Sequence, residues 1–283
     1  MTAYNAENTI SEAIESVLKQ SFADFEFIIV NDGSTDNTRL IIESYHDKRI
    51  RLIDSDHDYI RSLNIGMTAS AGKYIARMDA DDIMHIDRLK LQHSLMEEYP
   101  EITVCSSWMI IFGEKTAKRI FEQKDSGLIE NPLFQLLYDD IIINPTATIR
   151  RSFVEKHHLL YENYAHAEDF KYWADAAMLN AVFYIDSQPL VYKRISDEQI
   201  TIKHRDIQIQ TTRKIKRELL SFLCNIFNAG YPALTALYNS YYELSEQKLA
   251  SEDDIFVVFY NLFTKNKDTL KSLENSQKIK QAI

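Results

Sequence analysis

An α/β fold with a largely parallel sheet and helices on both faces is predicted by three features of the sequence. Helical and strand patterns alternate from residue 10 to residue 193. Such alternation favours parallel strands joined by crossover helices. Phe27-Ile28-Ile29-Val30 is a continuous apolar run with β-branched residues, which suits a strand covered on both faces. Ile10, Ala13, Ile14, Val17 and Leu18 follow the spacing of one buried helix face.

The elements follow in order. Thr9 and Glu12 have capping-box spacing at the start of the first helix. After the buried strand, Asn31-Asp32-Gly33-Ser34-Thr35-Asp36 is a turn leading into a helical pattern at Leu40, Ile41, Ser44 and Tyr45. A strand is expected around Ile50–Ile53, a helix from Tyr59 to Ala71, and a strand over Lys73–Met78 that runs into Asp79-Ala80-Asp81-Asp82. Arg88–Glu98 reads as a helix and Thr103–Phe112 as a strand. The pattern weakens over Glu114–Asn131, as in a loop or hairpin. A helix over Pro132–Ile143, a strand over Thr146–Arg150, a helix over Glu168–Leu179 and short strands at Val182–Ile185 and Leu190–Lys193 complete the pattern. Beyond His204 only helical patterning persists, so a catalytic unit over 1–204 and a helical C-terminal region over 205–283 are expected.

The composition is that of a globular chain: 283 residues, 45% hydrophobic and 26% charged, with only six glycines and five prolines. A net charge of −10 argues against nucleic acid as a partner, because phosphate binding requires clustered Lys and Arg. Cys105 and Cys224 lack metal-ligand spacing and read as reduced, buried thiols of a cytoplasmic protein. No apolar run reaches membrane-spanning length, and no basic-then-apolar leader precedes the first helix.

Three stretches carry candidate chemistry. Asp79-Ala80-Asp81-Asp82 lies at the C-terminal end of a predicted strand, where open α/β sheets bind ligands. Carboxylates converging there suit a hard divalent cation shared with a diphosphate, although an acidic surface turn would look the same. The Asp32 carboxylate should lie on the same sheet edge, with Gly33 permitting close backbone approach; a tight turn and helix cap is the plainer alternative. His166-Ala167-Glu168-Asp169 enters a helix bearing Phe170, Trp173 and Ala174. Those acids are either dipole-stabilising caps or a general base facing an incoming hydroxyl.

In this order and on these elements, the motifs resemble the inverting family 2 glycosyltransferases, with their Rossmann-like GT-A fold. The resemblance covers residues 1–204. Tyr4-Asn5 matches the end of the family's first strand, Asn31 to Asp36 its nucleotide-binding turn, and Leu63-Asn64-Ile65-Gly66 with Ala71-Gly72 the helix before its metal strand. Asp79-Ala80-Asp81-Asp82 matches its Asp-x-Asp signature, and Glu168-Asp169 its base-bearing motif. The resemblance implies transfer of a sugar from a UDP-sugar donor to an acceptor hydroxyl, in cell-surface polysaccharide or glycolipid synthesis. It implies donor contacts from Tyr4, Asn5, Asp32, Arg61, Asn64 and Asp79. A Mn2+ or Mg2+ ion would be held by Asp81 with Asp79, and His204 is a further candidate ligand. Asp169 would be the base, with Glu168 the second candidate. Arg61 reads equally well as a solvated helix residue, and His204 as a polar surface residue.

Departures from the family pattern are Asn144 ahead of Pro145-Thr146, and Ser196 after Tyr192-Lys193-Arg194-Ile195, where the family often has His. A haloacid-dehalogenase-type phosphatase would want its Asp-x-Asp on the first strand, followed by Thr or Val where Ile83 stands. A sugar-nucleotide pyrophosphorylase would need a Gly-rich basic loop near its start. A degenerate protein that binds nucleotide-sugars without turnover is a further alternative.

Two expectations concern the ends. Between Lys203 and Arg217 six Lys or Arg face one Asp, and Leu219, Leu220, Phe222 and Leu223 follow. Residues 203–223 therefore suggest peripheral docking at the inner face of the plasma membrane, where a lipid-linked saccharide acceptor would lie; packing on the catalytic unit or in a homodimer is the alternative. Because Thr2–Asn5 match only the end of an interior strand, six to ten further apolar residues are expected upstream of Met1 in the natural protein.

Overall fold

The computed structural model describes residues 1–113, 116–123, 125–195, 204–228, 239–240 and 251–265. Ser196 and Lys203, singled out above, lie outside the described residues.

One three-stranded parallel sheet has the order β1 (Thr2–Ala3), β2 (Phe27–Asp32), β3 (Ile50–Ser55). Helices α1 (Ile10–Leu18), α2 (Thr38–Glu43) and α3 (Tyr59–Ala69) connect its strands onward. All six residues of β2 are buried, as its continuous apolar run requires. A parallel bridge from Thr2 to Asp79 joins this sheet to the end of β4 (Tyr74–Ala76).

The second sheet is mixed. Its main path runs from β4 through β9 (Thr148–Arg150), β6 (Val104–Gly113) and β10 (Phe183–Arg194) to β5 (Ile83–Met84). Strands β6 and β10 pair in parallel, whereas β4–β9, β6–β9 and β5–β10 are antiparallel. The weak stretch after residue 113 is hairpin-like: β7 (Thr116–Phe121) returns along β6, and β8 (Gly127–Leu128) pairs with β10. The two short strands expected at 182–193 are one strand, with register shifts between Asp186 and Val191 that absorb Ser187, Gln188 and Leu190. Helix α5 covers Pro132–Tyr138 rather than extending to Ile143, because Asp139 turns extended. The remaining helices around this sheet are α4 (Arg88–Glu98), α6 (Arg151–His157) and α7 (Glu168–Met178).

The capping box at α1 does not form. The Thr9 hydroxyl donates to the Ala80 carbonyl (3.1 Å) instead of capping its own helix, and so ties α1 to the acidic turn after β4. Cys105 and Cys224 are free and buried, as expected.

Among the described residues no helix is long and apolar enough to cross a membrane. The C-terminal helices α8 (Arg205–Asn228) and α9 (Glu252–Lys265) share the main apolar core with α5 and α7. Leu219, Leu220 and Leu223 are buried in that core, so they do not form the free apolar face expected of a docking surface. The basic run is an interhelical seam. Arg213 pairs with Asp253 (2.6 Å), Arg217 with Glu252 (2.9 Å), and Lys216 donates to the Tyr138 carbonyl (2.8 Å). Among the described residues this segment packs on α5 and α9, as in the alternative of packing on the catalytic unit.

An apolar cavity of about 390 Å3 lies between Phe27–Ile28 of β2 and Tyr74–Ala76 of β4.

Phe259 is fully buried in the core that α9 shares with α5. Phe259→Ala is expected to cost about 3–5 kcal/mol, as for a large-to-small core change. Chemical denaturation should show it as a shift of the whole transition rather than as a separate early melt of the C-terminal helices.

Candidate active site

The ends of β1, β2 and β4 meet on one edge of the structure, and the sequence motifs converge there. At the β1 end, Asn5 adopts a left-handed φ of 46°. Its side-chain oxygen accepts from the Thr35 backbone N–H (2.8 Å), and its own N–H donates to the Ser34 hydroxyl (3.1 Å). Asn5 therefore binds the turn after β2 to the end of β1, and its carbonyl oxygen is engaged in that structural role. Tyr4 is exposed and its ring stacks on His57 at 4.0 Å between centroids.

Asp32 is buried, and its Oδ1 accepts from the Asp58 backbone N–H (2.8 Å) and the Ser62 hydroxyl (2.7 Å). Two donors from the start of α3 thus fix the carboxylate before any ligand arrives. His57 Nδ1 lies 3.6 Å from its other oxygen, Oδ2. Nothing local in the sequence distinguishes His57 from a loop histidine. Gly33 has φ +70°, and a Cβ there would meet the His57 backbone nitrogen at 3.0 Å, so this turn requires glycine.

Two of the other donor-binding candidates have different partners. Asn64 clasps the Tyr161 backbone with both ends of its amide, donating to the carbonyl at 2.9 Å and accepting from the N–H at 2.8 Å. That residue joins α3 to the segment before α7. Arg61 is exposed and sits 3.5 Å from Asp56, as a solvated helix arginine would.

The acidic turn after β4 rests on three arginines. Buried Arg77 pairs with Asp79 at 3.1 Å. Burial works against its charge, but Tyr161 and Asp79 together hold its pKa above the usual arginine range. Arg88 is fully buried beneath the turn, where it donates to the Ala147 carbonyl (3.2 Å) and to Gln92 (3.1 Å). Arg194, at the end of β10, clamps the turn from the far side. Its backbone N–H donates to Asp82 (2.9 Å), its Nε donates to the Asp81 carbonyl (3.0 Å), and its guanidinium pairs with Glu12 of α1.

Burial and the Asp79 charge raise the pKa of Asp81. Burial, Asp79 and Asp81 raise that of Asp82 well above the ordinary range. Asp82 Oδ2 is buried without a hydrogen-bond partner. Crowded hard oxygen ligands of this kind fit a Mg2+ or Mn2+ ion, whose charge would offset their repulsion. Among the described residues no three His, Cys, Asp or Glu side chains form a ready cage, so diphosphate oxygens and water would complete the coordination. His204 neighbours His166, which lines a cleft together with Asp79 and Glu168. It is exposed and stacks on His166 at 4.3 Å, and among the described residues no contact joins it to Asp79 or Asp81.

Glu168 and Asp169 open α7 after a left-handed bend at His166 (φ 59°). Carboxylates acting simply as caps at a helix N-terminus would have lowered pKa values. Here the shift is upward. Burial pushes Glu168 to about 7, with the Asp169 charge adding to the rise, and burial likewise raises Asp169. Desolvation overcomes the helix dipole, which sets both groups apart from ordinary caps.

A cleft of about 640 Å3 connects the two acidic centres, and Asp79, Glu168, Asp169 and Lys193 all line it. Asn144, which takes the place of the family's frequent His, also faces this cleft and accepts a hydrogen bond from the Tyr161 hydroxyl (3.4 Å).

Residues 1–158 match the profile described as Glycosyl transferase family 2. The chain belongs to that family. An uncharacterized glycosyltransferase of Haemophilus influenzae is 35% identical over 235 residues, which cover 79% of this chain and 72% of that protein. The Escherichia coli protein named UDP-Glc:alpha-D-GlcNAc-diphosphoundecaprenol beta-1,3-glucosyltransferase WfgD is 39% identical over 34% of this chain and 39% of its own length. The fold of this family 2 glycosyltransferase is similar to that of S. aureus TarS in complex with UDP-GlcNAc. There the TM-score is 0.63 at 19% identity, over 82% of this chain and 71% of that one.

The pKa of Glu168 yields a stability prediction for the metal-free protein. A carboxyl raised in the folded state contributes stability that is present below its unfolded pKa and lost as pH rises through about 7. Glu168→Gln should therefore be more stable than wild type at pH 8, by on the order of 1–3 kcal/mol, and no more stable at pH 4. Thermal melting across that range provides the check.

Proposed function

We propose that the chain transfers a sugar from a UDP-sugar to an acceptor hydroxyl in one displacement with inversion at the anomeric carbon, using Mn2+ or Mg2+. The observation that carries this reading is the single cleft shared by Asp79, at the strand end, and by Glu168 and Asp169, at the start of α7. Asp32 ends β2 and Tyr4 follows β1, whose Thr2 bridges to Asp79. The solved complexes of TarS with UDP-GlcNAc and of a Pyrobaculum calidifontis mannosyltransferase with GDP-Man and Mn2+ support the donor and metal classes. The name of the E. coli relative supports a lipid-diphosphate-linked saccharide as acceptor.

In this reading Asp32, already fixed by Asp58 and Ser62, accepts from the nucleobase, and the exposed Tyr4 ring offers it a flat apolar neighbour. Asp81, with Asp79, would hold the divalent cation, which supplies charge stabilisation to the departing diphosphate. Displacement at the anomeric carbon passes through an oxocarbenium-like state, as in glycoside hydrolysis. Asp169 takes the proton of the acceptor hydroxyl on the opposite face. Its raised pKa brings it closer to the range in which a carboxylate is an effective base near neutral pH. Glu168, at about 7, is the second candidate for that proton. No covalent nucleophile is needed.

Two substitutions should fail differently. Asp81→Ala is expected to abolish metal-dependent UDP binding, because the diphosphate would then face carboxylates with no cation between them. Asp169→Asn is expected to keep UDP binding while turnover falls at least about 100-fold. Calorimetry with UDP with and without Mn2+, together with hydrolysis of a UDP-sugar panel, would check both. Full activity in Asp169→Asn would move the base to Glu168, and UDP binding without any turnover of the panel would favour a binding protein.

A further inference from the structure

The floor of the cleft carries the carboxylates, but one wall comes from outside the motif-bearing strands. Tyr138 is the last residue of α5, and Tyr260 projects from α9. Their ring centroids lie 5.1 Å apart with planes inclined by 31°, and both line the cleft shared with Glu168 and Asp169. Tyr138 is 49% exposed. Asp139 and Asp140 follow it directly and line the same space. Asp140 and the base candidate Asp169 line the same cleft.

The wall is firmly held. Phe256, Phe259 and Phe263 anchor one face of α9 in the core, and Phe263 stacks on Phe134 of α5 at 4.9 Å between centroids. The Lys216 ammonium also fixes the end of α5 by donating to the Tyr138 carbonyl. An aromatic pair on two packed helices is a precise platform, since helices position side chains better than loops do.

We propose that Tyr138 and Tyr260 form the subsite for the pyranose ring of the acceptor. The idea rests on the transferase reading given above. A pyranose presents an apolar face of C–H groups and an edge of hydroxyls. Aromatic rings cover the first, and carboxylates such as Asp139 and Asp140 accept from the second. The subsite opens into the cleft that Asp169 lines, where an attacking hydroxyl belongs. Helix α9 is then a determinant of acceptor choice as well as a packing element.

The test uses the full chain loaded with UDP and Mg2+, and methyl pyranosides of glucose, galactose and N-acetylglucosamine as probes. Saturation-transfer NMR should show ring protons of at least one pyranoside in contact with the protein. Tyr138→Ala and Tyr260→Ala should each weaken that binding about three- to tenfold, the range of one lost ring contact. Tyr260→Phe should retain it, because the ring remains. UDP affinity by calorimetry should stay within about twofold of wild type in all three variants, since no nucleotide contact is removed. The subsite is overturned if no pyranoside binds the UDP-loaded chain, if both alanine variants bind it as wild type does, or if they lose UDP affinity in parallel. Failure of the wild-type chain to bind UDP would instead overturn the transferase reading and the subsite with it.

Discussion

The constraint on which this structure depends is the crowding of carboxylates at one strand end. Asp79, Asp81 and Asp82 lie within four residues, and two of them resist ionisation because burial and their neighbours' charges oppose it. Such a cluster would be costly without cations near it. The fold supplies three arginines from separate places: Arg77 in the run leading into the turn, Arg88 at the start of α4, and Arg194 at the end of β10. Each contacts the turn or the strand segments beneath it, and the architecture around β4 follows from bringing them together. The incomplete neutralisation at Asp82 is equally informative, since a buried oxygen without a partner is a place where a bound ion would be welcome.

The same logic explains why helix α1 begins where it does. The Thr9 hydroxyl turns away from its own helix toward the Ala80 carbonyl, and Glu12 turns toward Arg194. A capping box would satisfy helix N–H groups locally; the observed contacts satisfy the acidic turn instead. Local helix stability is given up for tertiary fixation of the site.

Much of this was legible in the sequence, and the division has a physical basis. Strand β2 and helices α1, α3, α4 and α7 are written in short-range periodicity, and the strand-end motifs followed from fold class once those elements were placed. What escaped was long-range. Asn64 reads as part of a motif, yet its partners are the backbone groups of Tyr161, 97 residues away. Arg88 and Arg194 look like ordinary charged residues until β9 and β10 are folded against them. The basic run of α8 resembled a membrane-facing patch because its anionic partners, Glu252 and Asp253, lie 35 and 40 residues downstream. Composition in a local window cannot reveal whether a charge is already answered elsewhere.

That last point bears on how the C-terminal helices relate to the chemistry. If their basic residues faced a membrane, α8 and α9 would be an attachment added to a finished enzyme. Arg213, Lys216 and Arg217 reach α9 and the end of α5, and the apolar face of these helices completes the core under α7, the helix that carries Glu168 and Asp169. Lys171 of α7 reaches Glu218 of α8 at 3.6 Å, and the Tyr164 hydroxyl donates to the same carboxylate at 2.8 Å. The position of α7 therefore depends on residues well outside the strand-end motifs. A carboxylate whose pKa is set by burial is only as well tuned as the packing that buries it. In this chain the packing around α7 is provided in part by the C-terminal helices, which makes them part of the structure that tunes Glu168 and Asp169.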